Sequence, residues 1–281
     1  MKLFRYGPPG AERPGIVAPD GSRRDLSGLI GDLSGAALHP DRLHALGQTD
    51  LLALPAVPEG ARLGPCVAGV RNFIAVGLNY ADHAAESGMP LPDEPVLFNK
   101  APSCIVGPND DLELPRGSTR TDWEVELAVV IGRDAYRADL TTARAAIAGY
   151  CVCHDVSERD YQMERSGQWM KGKGCPTFGP LGPYLVTPEE IADVQALDLW
   201  LDVNGERMQT GHTSSMVFGV MELVAYASQF MRLEAGDVIT TGTPPGVGLG
   251  RTPPRYLKAG DIVELGISGL GAQSQRVVAG P

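Results

Sequence analysis

The chain has 281 residues, of which 43% are hydrophobic and 21% charged, the composition of a globular protein long enough to bury a full core. The net charge of −10 and the lack of a Lys/Arg-rich run exclude most nucleic-acid binders, which need a basic surface. The five cysteines are an odd number and do not have the spacing of a disulfide framework, so we expect a reducing cytoplasm. No apolar stretch reaches the length of a membrane span, and we expect no membrane attachment.

The first part of the chain predicts a small N-terminal domain over residues 1–70, ahead of a larger domain over residues 71–281. Leu3–Tyr6 and Gly15–Ala18 predict a hairpin, and loosely helical spacing of Leu and Ala predicts helix between Asp25 and Leu54. The 35 glycines and 23 prolines predict many turns and short strands. The expected fold class is therefore mainly β with flanking helices (α+β).

The segment after the predicted strand Asn72–Gly77 predicts a short helix that Asn79 caps and Gly88 closes. On that helix His83 and Glu86 are three residues apart and share a face. A carboxylate that orients an imidazole makes a general base. The same spacing also describes an exposed ion pair on a surface helix, and the pair by itself favours that simpler interpretation.

An acidic strand is the most informative stretch of the chain. Trp123–Ile131 is rich in β-branched and apolar residues and predicts a buried strand, with Asp122, Glu124 and Glu126 on one face. Three carboxylates there would repel one another and lose hydration, unless a cation binds them or the face is the solvated side of an edge strand. We favour the cation, and oxygen ligands indicate Mg²⁺ or Mn²⁺, with Ca²⁺ also compatible.

A second strand, Ala148–Val156, places Asp155 near its end, where it can supply a third carboxylate from a neighbouring strand. His154 points to the opposite side of that strand and is predicted to be a hydrogen-bonded core histidine.

The next segments supply polar and basic side chains. Ser157–Arg165 is predicted to be helical and carries Arg159 and Gln162. The Gly-rich loop that follows brings Lys171 and Lys173, and a loop lysine beside a carboxylate site could bind an oxyanion, although a solvated lysine is the alternative.

The last third of the chain has three clear signals. Asn204-Gly205 predicts a tight hairpin turn, and Ser214 or Ser215 is predicted to cap a helix over Met216–Met231. The loop Gly242–Gly248 lacks the Lys-Ser/Thr ending of a phosphate loop, so a nucleotide site is not expected.

Four motifs together resemble the fumarylacetoacetate hydrolase family from about Phe73 to Val278, in the family's order. They are Gly77-Leu78-Asn79-Tyr80-x-x-His83-x-x-Glu86, Asp122-Trp123-Glu124-x-Glu126-Leu127, Asp155-Val156-Ser157-x-Arg159-Asp160 and Thr241-Gly242-Thr243-Pro244-x-Gly246-Val247-Gly248.

The resemblance implies a mixed β-sandwich roll that usually forms a homodimer. It also implies Mg²⁺ or Mn²⁺ bound by Glu124, Glu126 and Asp155, with Asp122 outside the ligand set. The family's catalytic His-Glu pair falls on His83 and Glu86. Its other active-site residues fall on Lys173, Gln162 and Thr243, and the motifs add Arg159 and Tyr80 as expected substrate contacts.

One position departs from the family pattern, because Pro176 stands where many members have Asp. The change removes no metal ligand, but we expect it to alter loop stiffness or substrate preference. The motif wording most resembles the branch named for 2,4-diketo-3-deoxy-sugar-acid hydrolases or ureidoglycolate lyases.

The resemblance thus implies hydrolysis of a C–C bond in a 2,4-diketo acid, such as an L-rhamnonate or L-fuconate derivative, to give pyruvate and a second acid. Oxaloacetate decarboxylation, isomerisation of a 2-hydroxy-dienoate and a lyase reaction remain open, because each uses the same carboxylate site. A non-catalytic β-rich binding protein with a solvated acidic strand is the alternative from another class.

Overall fold

The computed structural model of the chain describes residues 1–86 and 90–281. The strands in these ranges are β1 (Lys2–Tyr6), β2 (Arg13–Val17), β3 (Arg23–Asp25), β4 (Leu63–Gly64), β5 (Phe73–Gly77), β6 (Val96–Lys100), β7 (Ile105–Val106), β8 (Leu112–Leu114), β9 (Thr121–Asp122), β10 (Val125–Ile131), β11 (Ile147–His154), β12 (Ser157–Glu158), β13 (Gly179–Pro180), β14 (Leu185–Val186), β15 (Asp198–Val203), β16 (Glu206–His212), β17 (Val238–Thr240), β18 (Ile262–Ile267) and β19 (Gly271–Ala279). The α-helices are α1 (Pro40–Leu46), α2 (Ala81–Glu86), α3 (Leu140–Ala145), α4 (Met170–Lys173) and α5 (Val220–Phe230).

Two sheets carry most of the fold. A ten-stranded mixed sheet runs in the order β3-β2-β1-β14-β11-β10-β17-β5-β6, with β4 beside β1, and its β17–β5 pair is parallel. A five-stranded sheet runs in the order β16-β15-β18-β19-β8. Strands β10 and β11 pack against β15 and β18, and the buried residues of both sheets belong to one core. The expectation of a mainly β fold with flanking helices is confirmed.

Strand β10 is the centre of the large sheet, paired with β11 on one side and β17 on the other. All seven of its residues are buried, because both faces of the sheet are covered there and a nearly continuous apolar sequence suits that position. The alternative of a solvated acidic face on an edge strand is therefore wrong.

The predicted strand Trp123–Ile131 is interrupted at its start. Asp122 belongs to the short strand β9, which pairs with β12, and regular pairing in the large sheet begins at Val125. Because the chain changes direction between these strands, Asp122, Glu124 and Glu126 do not simply alternate on one face, and Asp122 has partners of its own.

The pairing of the central strands brings the ends of four strands to one edge of the large sheet. Strand β10 is antiparallel to β11 and β17, so its start lies beside their ends, and β5 ends on the same side because it is parallel to β17. The amide N–H of Asp155 donates to the carbonyl of Glu124 at 3.0 Å, which fixes the register at this edge. The site described below is built here.

Both predicted hairpins are present, but the helix predicted between Asp25 and Leu54 is shorter than expected. The N-terminal hairpin β1–β2 and the Asn204-Gly205 hairpin β15–β16 are confirmed, with both turn residues at positive φ as a type I′ turn requires. Between Asp25 and Leu54 the α-helix is limited to α1, with short 3₁₀ turns around it.

Two capping predictions are wrong. Ser214 and Ser215 lie in a 3₁₀ turn, and α5 begins later, with the Gly219 N–H donating to the Glu222 carboxylate at 2.7 Å. Asn79 does not cap α2, because its side chain bonds instead to the backbone of Phe218 and Thr241. The predicted helix end at Gly88 lies outside the described residues.

Ser157–Arg165 is helical only in its second half, as a π-helical turn over Asp160–Glu164 that follows β12. A π turn carries an extra residue per turn and is often found at functional sites.

The division into domains at residue 70 stays a prediction. Strand β1 pairs with β14 of the following segment, and Leu3 and Ile16 belong to the same core cluster as β10. No helix in the described ranges is both long and apolar enough to cross a bilayer.

Candidate active site

Three buried carboxylates meet at the edge where β10 begins and β11 ends. Glu124, Glu126 and Asp155 each offer an oxygen, and these oxygens lie within 4.8 Å of one another. The side chains are 4% exposed or less, which is rare for acids without compensating charge. The structure thus brings together the three residues that the sequence identified as candidate metal ligands.

Glu126 is the least compensated of the three. Its Oε2 accepts the Gly242 N–H at 2.9 Å, but none of the ion pairs among the described residues includes it. Burial and the charges of Asp155 and Glu124 raise the pKa of Glu126 well above its ordinary value. A hard divalent cation fits this oxygen-only donor set, because it would supply the positive charge that Glu126 lacks.

Two lysines neutralise part of the site. Lys173 donates to Glu124 Oε2 at 2.7 Å and to Asp155 Oδ2 at 2.8 Å, so it is a buried partner of the carboxylates and not a solvated loop lysine. Lys100, at the end of β6, lies 2.6 Å from Asp155 Oδ1 and donates to the carbonyl of Lys173. Sequence reasoning missed Lys100; its signal was a lysine at the end of a strand that begins with three apolar residues.

Asp122 and Arg159 form the outer support of Glu124. Arg159 contacts Asp122 Oδ2 at 2.8 Å, Glu124 Oε1 at 2.7 Å and Gln162 Oε1 at 3.0 Å. Asp122 also accepts backbone N–H groups from Gly248 at 2.7 Å and Leu249 at 3.0 Å. Arg159, predicted as a substrate contact, therefore has its charge engaged by two acids; a direct role in binding substrate stays a prediction.

Burial and neighbouring charges act in opposite directions on the ionisation of Glu124. Burial alone would raise its pKa, but the adjacent Lys173 and Arg159 charges outweigh burial and hold the pKa far below the ordinary value. Lys173 and Arg159 therefore favour the ionised form of Glu124, which is the form that would bind a cation.

The His83–Glu86 pair faces the carboxylates from helix α2. His83 is 8% exposed, so the interpretation as a surface ion pair does not hold. Its Nδ1 lies 3.5 Å from Glu86 Oε2, and both Glu86 oxygens accept the Gly246 N–H, at 3.1 and 2.9 Å. Burial opposes ionisation of Glu86, but the hydrogen bonds from His83 and Gly246 lower its pKa below the usual value.

Gln162 and Thr243 differ in the hydrogen-bond donors that they have available for a ligand. The Gln162 oxygen accepts from Arg159, which can only donate, so its amide N–H₂ group points away from Arg159. The Thr243 hydroxyl already donates to the Val125 carbonyl at 2.9 Å and accepts from Gln209 at 2.8 Å. Gln162 thus has donors available for a ligand, whereas Thr243 must break a bond before it can donate.

Tyr80 lies beneath the site and is not on the cleft wall. It is 1% exposed, and its hydroxyl has no hydrogen-bond partner among the described residues. Burial and the charge of Glu126 raise its pKa above the ordinary value. The predicted contact between Tyr80 and substrate therefore stays a prediction.

His154 is confirmed as a core histidine, fully buried and hydrogen-bonded to Gln275 at 3.0 Å.

A cleft of about 590 Å³, measured with its open mouth, connects these groups to solvent. Its polar lining consists of His83, Glu124, Glu126, Arg159, Gln162, Lys173 and Thr243. Buried acids, a lysine and an oriented imidazole are costly to place below an open cleft unless they act on a ligand, and together they are the groups of acid–base catalysis. The fold and the site define a mainly β enzyme.

Comparison with known proteins gives the family. Residues 72–278 match the profile described as fumarylacetoacetate (FAA) hydrolase C-terminal. A protein of Burkholderia multivorans with a provisional hydrolase name is 58% identical over 276 residues, or 98% of each chain. The fumarylacetoacetate hydrolase of Exiguobacterium antarcticum superposes with a TM-score of 0.88 at 37% identity, over 99% of each chain.

Two other solved structures show the chemistry found on this fold. The 5-carboxymethyl-2-hydroxymuconate delta-isomerase of Mycobacterium smegmatis superposes with a TM-score of 0.79 at 34% identity, over all of each chain. The maleylpyruvate hydrolase of Sphingobium sp. SYK-6 does so with a TM-score of 0.81 at 27% identity, again over all of each chain. The chain belongs to the fumarylacetoacetate hydrolase family, whose relatives include hydrolases and isomerases.

Proposed function

We propose that this enzyme hydrolyses the C3–C4 bond of a 2,4-diketo acid. The observation that carries the proposal is that His83 lines the same cleft as Glu124 and Glu126. Glu86 lies next to His83 Nδ1, and Asp155 completes the carboxylate cluster behind the lining. Carboxylates that hold a cation suit an enolate-forming reaction, and an oriented imidazole supplies the base that activates water. The reaction converts an acylpyruvate and one water into a carboxylic acid and pyruvate.

The cation expected at the carboxylates is Mg²⁺ or Mn²⁺, held by Glu124, Glu126 and Asp155, and when bound it supplies Lewis acidity at the floor of the cleft. Its identity is part of the proposal.

The proton transfers belong to His83. Its Nε2 takes a proton from water as the water oxygen bonds to C4 of the substrate, and Glu86 stabilises the imidazolium that forms. The third N–H of Lys173 and the amide of Gln162 donate to the oxyanion at C4. When the C3–C4 bond breaks, its electron pair goes to C3, and the proton on His83 returns to C3 to give the methyl group of pyruvate.

Narrower proposals follow from the sequence resemblance. It favours a 2,4-diketo-3-deoxy sugar acid such as the L-rhamnonate or L-fuconate derivative as substrate, whereas the lining of the cleft, described in the next subsection, favours a different acyl group. It also favours a homodimer or dimer-based oligomer as the assembly and the cytoplasm as the location. Sedimentation of the purified protein tests the assembly: a mass near twice 29.8 kDa supports the dimer, and a monomer contradicts it.

Related reactions at the same site are distinguished by their products. Isomerisation of a 2-hydroxy-dienoate needs a proton shift without water, which His83 could also perform, and the isomerase from M. smegmatis is a structural relative. Decarboxylation of oxaloacetate releases CO₂, and a lyase would act on ureidoglycolate.

The test incubates the enzyme and Mg²⁺ with acetylpyruvate in ¹⁸O-labelled water and analyses the products by mass spectrometry. Hydrolysis predicts equal amounts of pyruvate and acetate, with one label in acetate. Turnover of oxaloacetate or of the dienoate, with no pyruvate formed from acetylpyruvate, would overturn the proposal.

A further inference from the structure

The outer wall of the cleft is apolar, in contrast to its floor. The side chains that form this wall are Val76, Leu78, Phe98, Met163, Trp169 and Leu249. They come from five separate segments: the end of β5, strand β6, the π-helical turn Asp160–Glu164, the turn before α4, and the loop after β17. One such side chain would need no explanation, but six around one cleft define a surface suited to an apolar ligand.

The aromatic corner of the wall is tightly built. Phe98 and Trp169 meet edge to face with their ring centroids 5.2 Å apart. The Trp169 ring lies so close to Gly77 that a Cβ at Gly77 would be 2.5 Å from the ring, so the glycine is needed for this approach. Lys173 Nζ lies 5.3 Å from the Phe98 centroid. The apolar wall therefore begins directly beside the lysine proposed to bind the C4 oxyanion.

Leu78 is held in the wall against its backbone preference. Its φ is +56°, a left-handed conformation that is unfavourable for a residue with a Cβ. The next residue, Asn79, maintains it, because its side chain donates to the carbonyls of Phe218 and Thr241 and accepts the Phe218 N–H. Backbone strain that is maintained beside a binding cleft indicates that the Leu78 side chain has a role in the wall of the cleft.

The side chains of the cleft leave few hydrogen-bond or ion-pair partners for a polar acyl group. Arg159 and Lys173, the cations of the described lining, are both paired with carboxylates. The wall itself offers no hydroxyl or amide side chain among the described residues. The hydroxyl groups of a sugar acid, or a distal carboxylate, would lose their hydrogen bonds to water there and gain no new partners. An alkyl or aryl group has no such hydrogen bonds to lose.

We infer that the acyl group released by this enzyme is apolar, so that the substrates are alkyl- or aryl-substituted acylpyruvates rather than diketo sugar acids. This inference rests on the proposed hydrolysis. Trp169, Phe98 and Leu78 select the acyl group by contact with the part of the substrate beyond C4.

The first test measures kcat/KM for a series from acetylpyruvate through butanoylpyruvate to hexanoylpyruvate, with benzoylpyruvate and a 2,4-diketo-3-deoxy sugar acid for comparison. We expect kcat/KM to rise about fourfold for each methylene buried, which corresponds to ~0.8 kcal/mol. The sugar acid should be slower than the alkyl substrate of equal length. A sugar acid preferred over that substrate, or no dependence on chain length, would overturn the inference.

The second test asks whether the wall causes the preference. Trp169→Ser should reduce the dependence of log kcat/KM on chain length to less than half. Trp200→Ser, the same change on β15 away from the cleft, should leave the dependence unchanged. Equal dependence in Trp169→Ser and the wild type would show that another surface binds the acyl group.

A binding measurement separates this inference from the proposed reaction. In the presence of Mg²⁺, 2-oxo acids of increasing alkyl length should bind with a dissociation constant that falls with length in the wild type and much less in Trp169→Ser. If no acylpyruvate is hydrolysed but this trend is present, the proposed reaction is wrong and the apolar site is retained. If acylpyruvates are hydrolysed and the trend is absent, the apolar site is wrong.

Discussion

Lys100 shows how much of the site depends on one buried charge. Its side chain is 1% exposed and lies 2.6 Å from Asp155 Oδ1. Burial alone would lower the pKa of Lys100, but the Asp155 charge outweighs burial and the pKa lies above its ordinary value. Lys100 therefore keeps its charge and pairs with Asp155 inside the site.

Lys100→Met should reduce the free energy of unfolding by roughly 3–5 kcal/mol, because it leaves a buried carboxylate without one of its partners. Urea denaturation measures this loss. Lys258→Met, the same change at an exposed lysine, should lie within about 0.5 kcal/mol of the wild type. Similar losses in the two variants would mean that the buried pair contributes nothing specific.

His83→Ala should lower kcat by about 100-fold to 10,000-fold, the range that a general base contributes. The affinity for Mg²⁺, measured by calorimetry, should stay nearly unchanged, because His83 is not one of the proposed ligands. His44→Ala, at an exposed histidine of α1, is the control and should keep the wild-type rate. A His83→Ala rate within a few-fold of the wild type would show that another group is the base.

The loop after β17 organises the acids of the site through its backbone. The N–H groups of Gly242, Gly246 and Gly248 donate to Glu126, Glu86 and Asp122, respectively. The sequence motif of this loop does not show that its amides bind the protein's own carboxylates. The partners are more than 100 residues apart in sequence, and local patterns do not contain that information.

Gly246→Ala should disturb this loop more than its backbone conformation alone explains. Gly246 has φ +106°, and a Cβ there would collide with the Met208 carbonyl, whereas Gly260 has φ +98° and open space around it. Both alanine variants should lose about 1–2 kcal/mol for the left-handed conformation, and Gly246→Ala about 1–3 kcal/mol more for the collision. Denaturation curves provide the comparison, and equal losses would contradict the steric account.

The elements that sequence predicted well are those set by neighbouring residues. The apolar run of β10, the alternation and Asn-Gly turn of β15–β16, and the pairing of β1 with β2 all depend on short-range patterns. The predictions that proved wrong depend on distant partners. Asn79 bonds to residues 139 and 162 positions further on instead of capping α2. Strand β9 separates from β10 because Asp122 bonds to the loop Gly242–Gly248.

The same distinction applies to the site. Glu124, Glu126 and Asp155 could be proposed from strand alternation, and the His83–Glu86 pair from helical spacing. Family resemblance was needed to weigh Lys173 above a solvated lysine. The apolar wall could not be predicted, because Leu78, Phe98 and Trp169 meet only in the folded chain.

Across the whole molecule, the topology of the large sheet explains why the site lies where it does. Antiparallel neighbours on both sides of β10, together with β5 parallel to β17, gather one strand start and three strand ends at a single edge. The second sheet covers the core behind it, so the carboxylates are buried and need a counter-charge. Stability of the fold and occupancy of the cation site should therefore be linked.

Mg²⁺ at about 100 times its dissociation constant should stabilise the folded chain by ~2.7 kcal/mol and raise Tm by about 5 °C. Glu126→Gln should abolish this shift without lowering the Tm of the metal-free protein, since a neutral side chain of the same size removes the repulsion from Asp155 and Glu124. Differential scanning calorimetry measures both values. The exposed Glu59→Gln variant is the control and should retain the shift.

The most direct measurement is the rate of pyruvate release from acetylpyruvate by chelator-treated protein as Mg²⁺ is added back. We expect almost no pyruvate without the cation, and a rate that saturates with one ion bound per chain and is absent in Glu126→Gln. Full activity in excess chelator, or an undiminished response to Mg²⁺ in Glu126→Gln, would contradict it.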